Sequence, residues 1–127
     1  MLQDMRVACT LPAKDMERAK TFYKEKLDLS PTREGPEGVA YECGGGTGFM
    51  LFTSQGESRG DFTQMGFEVS NVRETVADLK KNGVTFEQYD FPGLKTDEDG
   101  IAQLGDELGA WFKDSEGNMI AITQMSG

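Results

Sequence analysis

Histidine is absent from the 127 residues, and that absence limits the chemistry more than anything the chain contains. It removes the commonest general acid/base of neutral pH and the commonest metal ligand. Any metal site would need carboxylates and carbonyls alone, a set that suits calcium or magnesium better than zinc, iron or nickel. Cysteine is scarce: Cys9 and Cys43 are the only two. With no histidine to activate a thiol and no secretion pattern in Met1 to Pro12, both read as reduced thiols. Positive charge is short, 13 Lys and Arg against 22 Asp and Glu for a net charge of −9. That deficit argues against nucleic acid as a partner and favours a neutral or cationic ligand. No apolar run approaches the roughly 18 residues of a membrane span. A cytoplasmic protein with no membrane partner is expected.

What the chain does contain is a repeat. Arg6 to Leu27 (RVACTLPAKDMERAKTFYKEKL) reads as a strand and a helix, and Gln64 to Gly83 (QMGFEVSNVRETVADLKKNG) reads as the same pair. An offset of 56 places Ala8 on Gln64 and Asp15 on Asn71. Val7, Cys9 and Leu11 alternate with Arg6, Ala8 and Thr10; Met65, Phe67 and Val69 alternate with Gln64, Gly66 and Glu68. Period-two alternation predicts strands with one apolar face. Asp15 and Asn71 can then cap helices carrying the stripes Met16, Ala19, Phe22, Tyr23, Leu27 and Val72, Thr75, Val76, Leu79.

Three short strands are expected next, at Leu29 to Glu34, Gly38 to Cys43 and Thr47 to Thr53, making the first module β-α-β-β-β. The second repeats that order with strands at about Phe62 to Val69, Val84 to Tyr89, Ala110 to Asp114 and Asn118 to Gln124. Asp90 to Leu108 reads as an inserted loop without periodicity. An offset of 70 then places Trp111 on Tyr41 and Ala121 on Leu51. The length suits about one domain: 1–127, with module one at 1–55, a linker at 56–61 and module two at 62–127.

Two stretches resemble ligand loops and fail on spacing. GGGTG at Gly44 to Gly48 has no Lys-Ser/Thr and no following helix, so a hairpin is expected. TDEDG at Thr96 to Gly100 would put Lys95 at the first position of a calcium loop, where a carboxylate belongs. DSEGN at Asp114 to Asn118 reads as a turn in which Gly117 and Asn118 supply positive φ.

With the motifs LPAKDMERAKTFYKEKLDL, GFEVSNVRETVADLKKNGV and AWFKDSEGNMIAI in this order, the chain resembles the vicinal oxygen chelate superfamily, the glyoxalase, bleomycin resistance protein and dioxygenase group. The resemblance implies an α+β fold of two tandem βαβββ modules, a curled mixed sheet with helices outside. In metal-binding members the ligands lie on the first and last strands of each module, which here gives Ala8, Leu51, Gln64 and Ala121. None is a histidine or carboxylate, and the neighbours Val7, Cys9, Phe52, Ile120 and Ile122 are no better. No metal and no cofactor are therefore expected.

Alternation places Arg6, Ala8, Thr10, Phe49, Leu51, Thr53, Gln64, Gly66, Glu68, Met119, Ala121 and Thr123 on the face away from the helices, with Trp111 or Phe112. This small, partly polar set suits a small-molecule cavity. The leading reading is a metal-independent binding protein of the bleomycin-resistance type that sequesters an antibiotic or natural product. The alternative is a metal-free enzyme of lyase or isomerase type using Glu68, Tyr41 or an acidic loop residue as acid or base. An intact metalloenzyme and a regulatory subunit with an empty cavity are the remaining readings. A homodimer is what the resemblance implies.

Overall fold

The computed structural model describes residues 1–125; the last two positions of the expected second module, 126 and 127, lie outside the described residues. The first module runs β1 (Cys9–Ala13), α1 (Met16–Leu27), β2 (Arg33–Gly35), β3 (Gly38–Glu42) and β4 (Gly48–Thr53). The second runs β5 (Met65–Glu68), α2 (Val72–Lys81), β6 (Asp90–Phe91), β7 (Leu94–Lys95), β8 (Ile101–Leu104), β9 (Glu107–Lys113) and β10 (Met119–Met125). Two four-stranded sheets result, ordered β1-β4-β3-β2 and β5-β10-β9-β8, each with one parallel pair at the β1 or β5 edge. Neither sheet closes into a barrel.

Both helices start where a side chain can satisfy a free amide: Asp15 accepts from the Arg18 N–H and Asn71 from the Glu74 N–H. Helix α1 ends at Asp28, in the left-handed conformation at φ 57°. The Leu29 amide then donates back to the Tyr23 carbonyl and so belongs to the helix end, and β2 begins at Arg33 and not at the expected Leu29. Gly38 has φ 153°, and a Cβ there would lie 1.9 Å from the Leu51 carbonyl oxygen, so only glycine fits where β3 crosses β4.

One apolar core spans both modules. Ala19 and Tyr23 of α1, Val72 and Val76 of α2, and Leu11, Val39, Tyr41, Phe49, Leu51, Phe112, Ile120 and Ile122 of the sheets all belong to it. Phe22 of α1 packs on Phe112 of β9, and Phe49 of β4 meets Phe67 of β5 edge to face. The expected strand at Val84 to Tyr89 is reduced to a single bridge, Phe86 to Phe112. The expected loop at Asp90 to Leu108 is instead largely sheet: the hairpin β6–β7, strand β8 and the start of β9. Its acidic turn is docked on α2, where Arg73 pairs with Asp97 and Lys80 with Asp99.

Candidate functional site

The registers decide which side chains face away from the helices. In the first sheet Cys9 pairs with Phe49 and Leu11 with Leu51, while Tyr41 pairs with Phe49 and Val39 with Leu51. All of these belong to the core or pack against it. Phe49 and Leu51, expected on the open side, therefore face the helices: Phe49 stacks on Tyr41 at 4.8 Å and lies 5.5 Å from Tyr23 of α1. The open side of this sheet carries Thr10, Met50, Ala40 and Arg33 in one row across four strands.

The cause is a one-residue slip in the repeat. Because Leu11 aligns with Phe67 and Phe67 pairs with Ile122, Leu51 matches Ile122 and Met50 matches Ala121, an offset of 71 and not 70. A slip of one residue moves a whole strand to the other face. Trp111 likewise matches Ala40, and Phe112 matches Tyr41.

In the second sheet the open side holds Gly66, Glu68, Gly109, Trp111, Met119, Ala121 and Thr123. Glu68 is exposed at the sheet edge, opposite Thr123, with no hydrogen bond or ion pair among the described residues. Met119 and Ala121 are buried, and Trp111 is half-buried with its ring over Gly109. Arg6 and Ala8 precede β1, which starts later than expected, and both are exposed. Val7, expected on the apolar strand face, is 96% exposed.

Gln64 is held by other contacts. Its Oε1 accepts from Ser58 Oγ and the Met119 N–H, and its Nε2 donates to Asn118 Oδ1. With Ala8, Met50 and Ala121 at the other positions matching the family's ligand sites, the donor set does not fit a divalent metal. No group of three or more His, Cys, Asp or Glu side chains with metal-binding geometry occurs among the described residues. Tyr41 is buried in the core, where burial pushes its hydroxyl up to about 12, so it neither reaches the open face nor offers a ready base.

Sequence reasoning missed Tyr89 and Phe91. Tyr89 lies edge-on to Trp111 at 5.8 Å and to Phe91 at 5.9 Å, and its hydroxyl reaches Met119 Sδ at 3.9 Å. Their spacing of two residues was the available signal, since it places both rings on one side of an extended segment.

The turn after β9, expected as a hairpin turn, is one, and it is also a buried hub. Asn118, fully buried, donates to the Pro12 carbonyl and to Asp114. Asp114 accepts from Tyr23 Oη at 2.6 Å. Glu116 accepts from Arg18, the Asp15 N–H and Ser115. Burial alone would raise the Glu116 carboxyl, but Arg18 and these donors outweigh it and hold it at about 2. Of the two residues expected at positive φ, Gly117 has it at 88°; Asn118 does not, and serves as the hub.

Two recesses, one on the open side of the first sheet and one beside α2, contain neither Glu68 nor Trp111. One of about 280 Å³ is lined by Arg33, Pro36, Gly38, Ala40 and Met50, and one of about 320 Å³ by Arg73, Thr96, Ile101, Ala102 and Leu108.

The model of the Glyoxalase/Bleomycin resistance protein/Dioxygenase superfamily matches residues 6–122. Among solved structures, UcmS2 superposes with a TM-score of 0.72 at 21% identity, covering 94% of this chain and 98% of that one. A glyoxalase family protein from Enterococcus faecalis gives 0.69 at 20% identity, covering 97% and 99%. A glyoxalase/bleomycin resistance protein/dioxygenase from Nocardioides gives 0.68 at 18%, covering 97% and 85%. Identities this low speak for the fold alone. Comparison with curated proteins gives no match.

Proposed function

The chain belongs to the glyoxalase/bleomycin resistance protein/dioxygenase superfamily, and from that premise we propose that it is a metal-independent protein that binds a small molecule on the open face of its sheets. The observation that carries the reading is the donor set. Ala8, Met50 and Ala121 have no ligating side chain, and both polar ends of Gln64 are engaged by Ser58, Met119 and Asn118. Stripped of chelation, the open face keeps an aromatic wall and a carboxylate, features that bind and orient an organic molecule. In this reading residues 1–127 work as one domain, in the cytoplasm and as a homodimer. They take up a neutral or cationic antibiotic or natural product.

A second reading, a metal-free lyase or isomerase with Glu68 as base, is favoured by one observation. Glu68 stands on the open face with no partner among the described residues. As a base, Glu68 requires the acidic carbon of the bound molecule within hydrogen-bond reach of its carboxylate.

Native mass spectrometry of protein purified without chelator, with metal analysis of the same sample, tests the first reading. A co-purified organic mass without metal is the expected result. Stoichiometric transition metal would overturn it. For the second reading, turnover of the identified compound should vanish in Glu68→Gln; unchanged turnover removes Glu68 from the chemistry.

A further inference from the structure

The second module differs from the first by the segment carrying hairpin β6–β7, and nothing in the core requires it. It is nevertheless firmly built. Thr96 Oγ1 accepts from the Tyr89 N–H and donates to the Tyr89 carbonyl, Gln88 Nε2 donates to the Glu98 carbonyl, and Asp97 is paired with Arg73. What the hairpin presents is a chain of rings, Phe91 on Tyr89 on Trp111, with Phe91 left 53% exposed. An anchored segment that keeps an aromatic ring in water retains apolar surface for contact with something else.

The rings cover part of the sheet beside them, so that Gly109 and Ala121 are buried, and leave small side chains open toward the β5 edge, where Gly66 is exposed and Thr123 half-buried. Gly66 pairs with Ala121 and Ala121 with Trp111; in the adjacent row Glu68 pairs with Thr123 and Thr123 with Gly109. The Trp111 ring leans over Gly109, where a Cβ would come within 3.3 Å of it. The indole thus points along β9 away from Lys113, which pairs with Met119 one row beyond Ala121. Two strand spacings, about 10 Å of backbone, separate Gly109 from Glu68. Between the aromatic wall over Gly109 and the Glu68 carboxylate, the open floor is Thr123 and Gly66. The net charge of −9 draws cations toward it.

We propose that the inserted hairpin is the aromatic side wall of the ligand site and that the ligand is a planar ring cation, its ring against Trp111 and Phe91 and its charge facing Glu68. This rests on the small-molecule reading above and narrows it to a chemical class. Ring faces attract cations, and a carboxylate at the far end of the trough selects the charge that ring stacking alone does not.

Trp111 is the single tryptophan, so intrinsic fluorescence reports this site directly. The test titrates the full chain with proflavine, a planar cation; acridine, the same ring system uncharged at neutral pH; and acridine-9-carboxylate, its anion. Calorimetry runs in parallel. Proflavine should quench Trp111 and bind about tenfold tighter than acridine, with the anion weakest. Glu68→Gln should abolish the preference for proflavine, and Phe91→Ala should weaken proflavine and acridine alike by about tenfold. Both side chains are exposed, and Phe91→Leu, which keeps apolar bulk and removes the ring, serves if the alanine variant does not fold. Equal affinities for the three charge states, or affinities unmoved by both variants, overturn the proposal. If proflavine fails while an uncharged library compound quenches Trp111 and raises the melting temperature, the planar-cation class falls and the small-molecule reading stands. If no compound of any charge binds, both fall.

Discussion

Glu116 is the residue whose chemistry departs furthest from what its surroundings in sequence suggest. It sits between a serine and a glycine in a hairpin turn, yet its side chain is 1% exposed and its charge is matched by the half-exposed Arg18. Its carboxyl is lowered from 4.5 to about 2. A depressed folded-state value means the stabilisation is complete above about 4.5 and is lost as pH falls through about 2. Glu116→Gln should therefore cost about 1–3 kcal/mol in denaturant melts near pH 7, because the buried amide keeps the shape but loses the charge-assisted bonds from Arg18, the Asp15 N–H and Ser115. The gap between variant and wild type should close as the pH approaches 2; a gap that persists there would place the cost in shape and not in charge. The neighbouring caps were legible because Asp15 and Asn71 sit one residue before an apolar stripe begins. The burial of Glu116 was not, because its partner Arg18 lies nearly the whole chain away.

The ends and registers of elements separate what could be read from what could not. Asp28 takes the left-handed conformation at φ 57°, which Asp tolerates better than most side chains. It also puts a negative charge at the negative end of α1. Asp28→Gly should relieve both penalties and stabilise the protein by about 1 kcal/mol, raising the melting temperature by roughly 3–5 °C. A lower melting temperature would mean that the carboxylate does something else there. The register of β4 could not be read from the sequence. Trp111 and Phe112 are adjacent aromatics, and Tyr41 resembles either; matching it to Trp111 set the offset at 70. Pairing of Leu51 with Leu11 across a parallel ladder sets it at 71 and sends Phe49 and Leu51 into the core. Strand faces in the second sheet were readable because Met65, Phe67, Ile120 and Ile122 contrast with Gly66, Glu68, Ala121 and Thr123. In GFMLFT every residue from Phe49 to Phe52 is apolar, so β4 carries no alternation to read.

At the scale of the whole molecule, the two modules are joined through groups that neither can satisfy alone. Tyr23 of α1 donates to Asp114 beyond β9, and its ring belongs to a core that includes residues of both sheets. Asn118 of the second module reaches the Pro12 carbonyl of the first, and the Cys9 thiol lies 3.6 Å from the Gln64 carbonyl oxygen. Burial and the Asp114 carboxylate both push the Tyr23 hydroxyl upward, keeping it a donor across the working pH range. Coupling of this kind makes unfolding cooperative across the chain. Far-ultraviolet dichroism, which reads both modules, and Trp111 fluorescence, which reads the second, should give one coincident denaturation midpoint. Tyr23→Phe changes a first-module helix by one oxygen and leaves Asp114 short of a donor, at a cost of about 1–2 kcal/mol. Because the modules share a core, the fluorescence midpoint should fall as far as the dichroism midpoint. A dichroism curve that splits while the Trp111 transition stays in place would mean that the second module holds its fold without the first. The open face, bounded by strands of both sheets, would then rest on two independently stable walls.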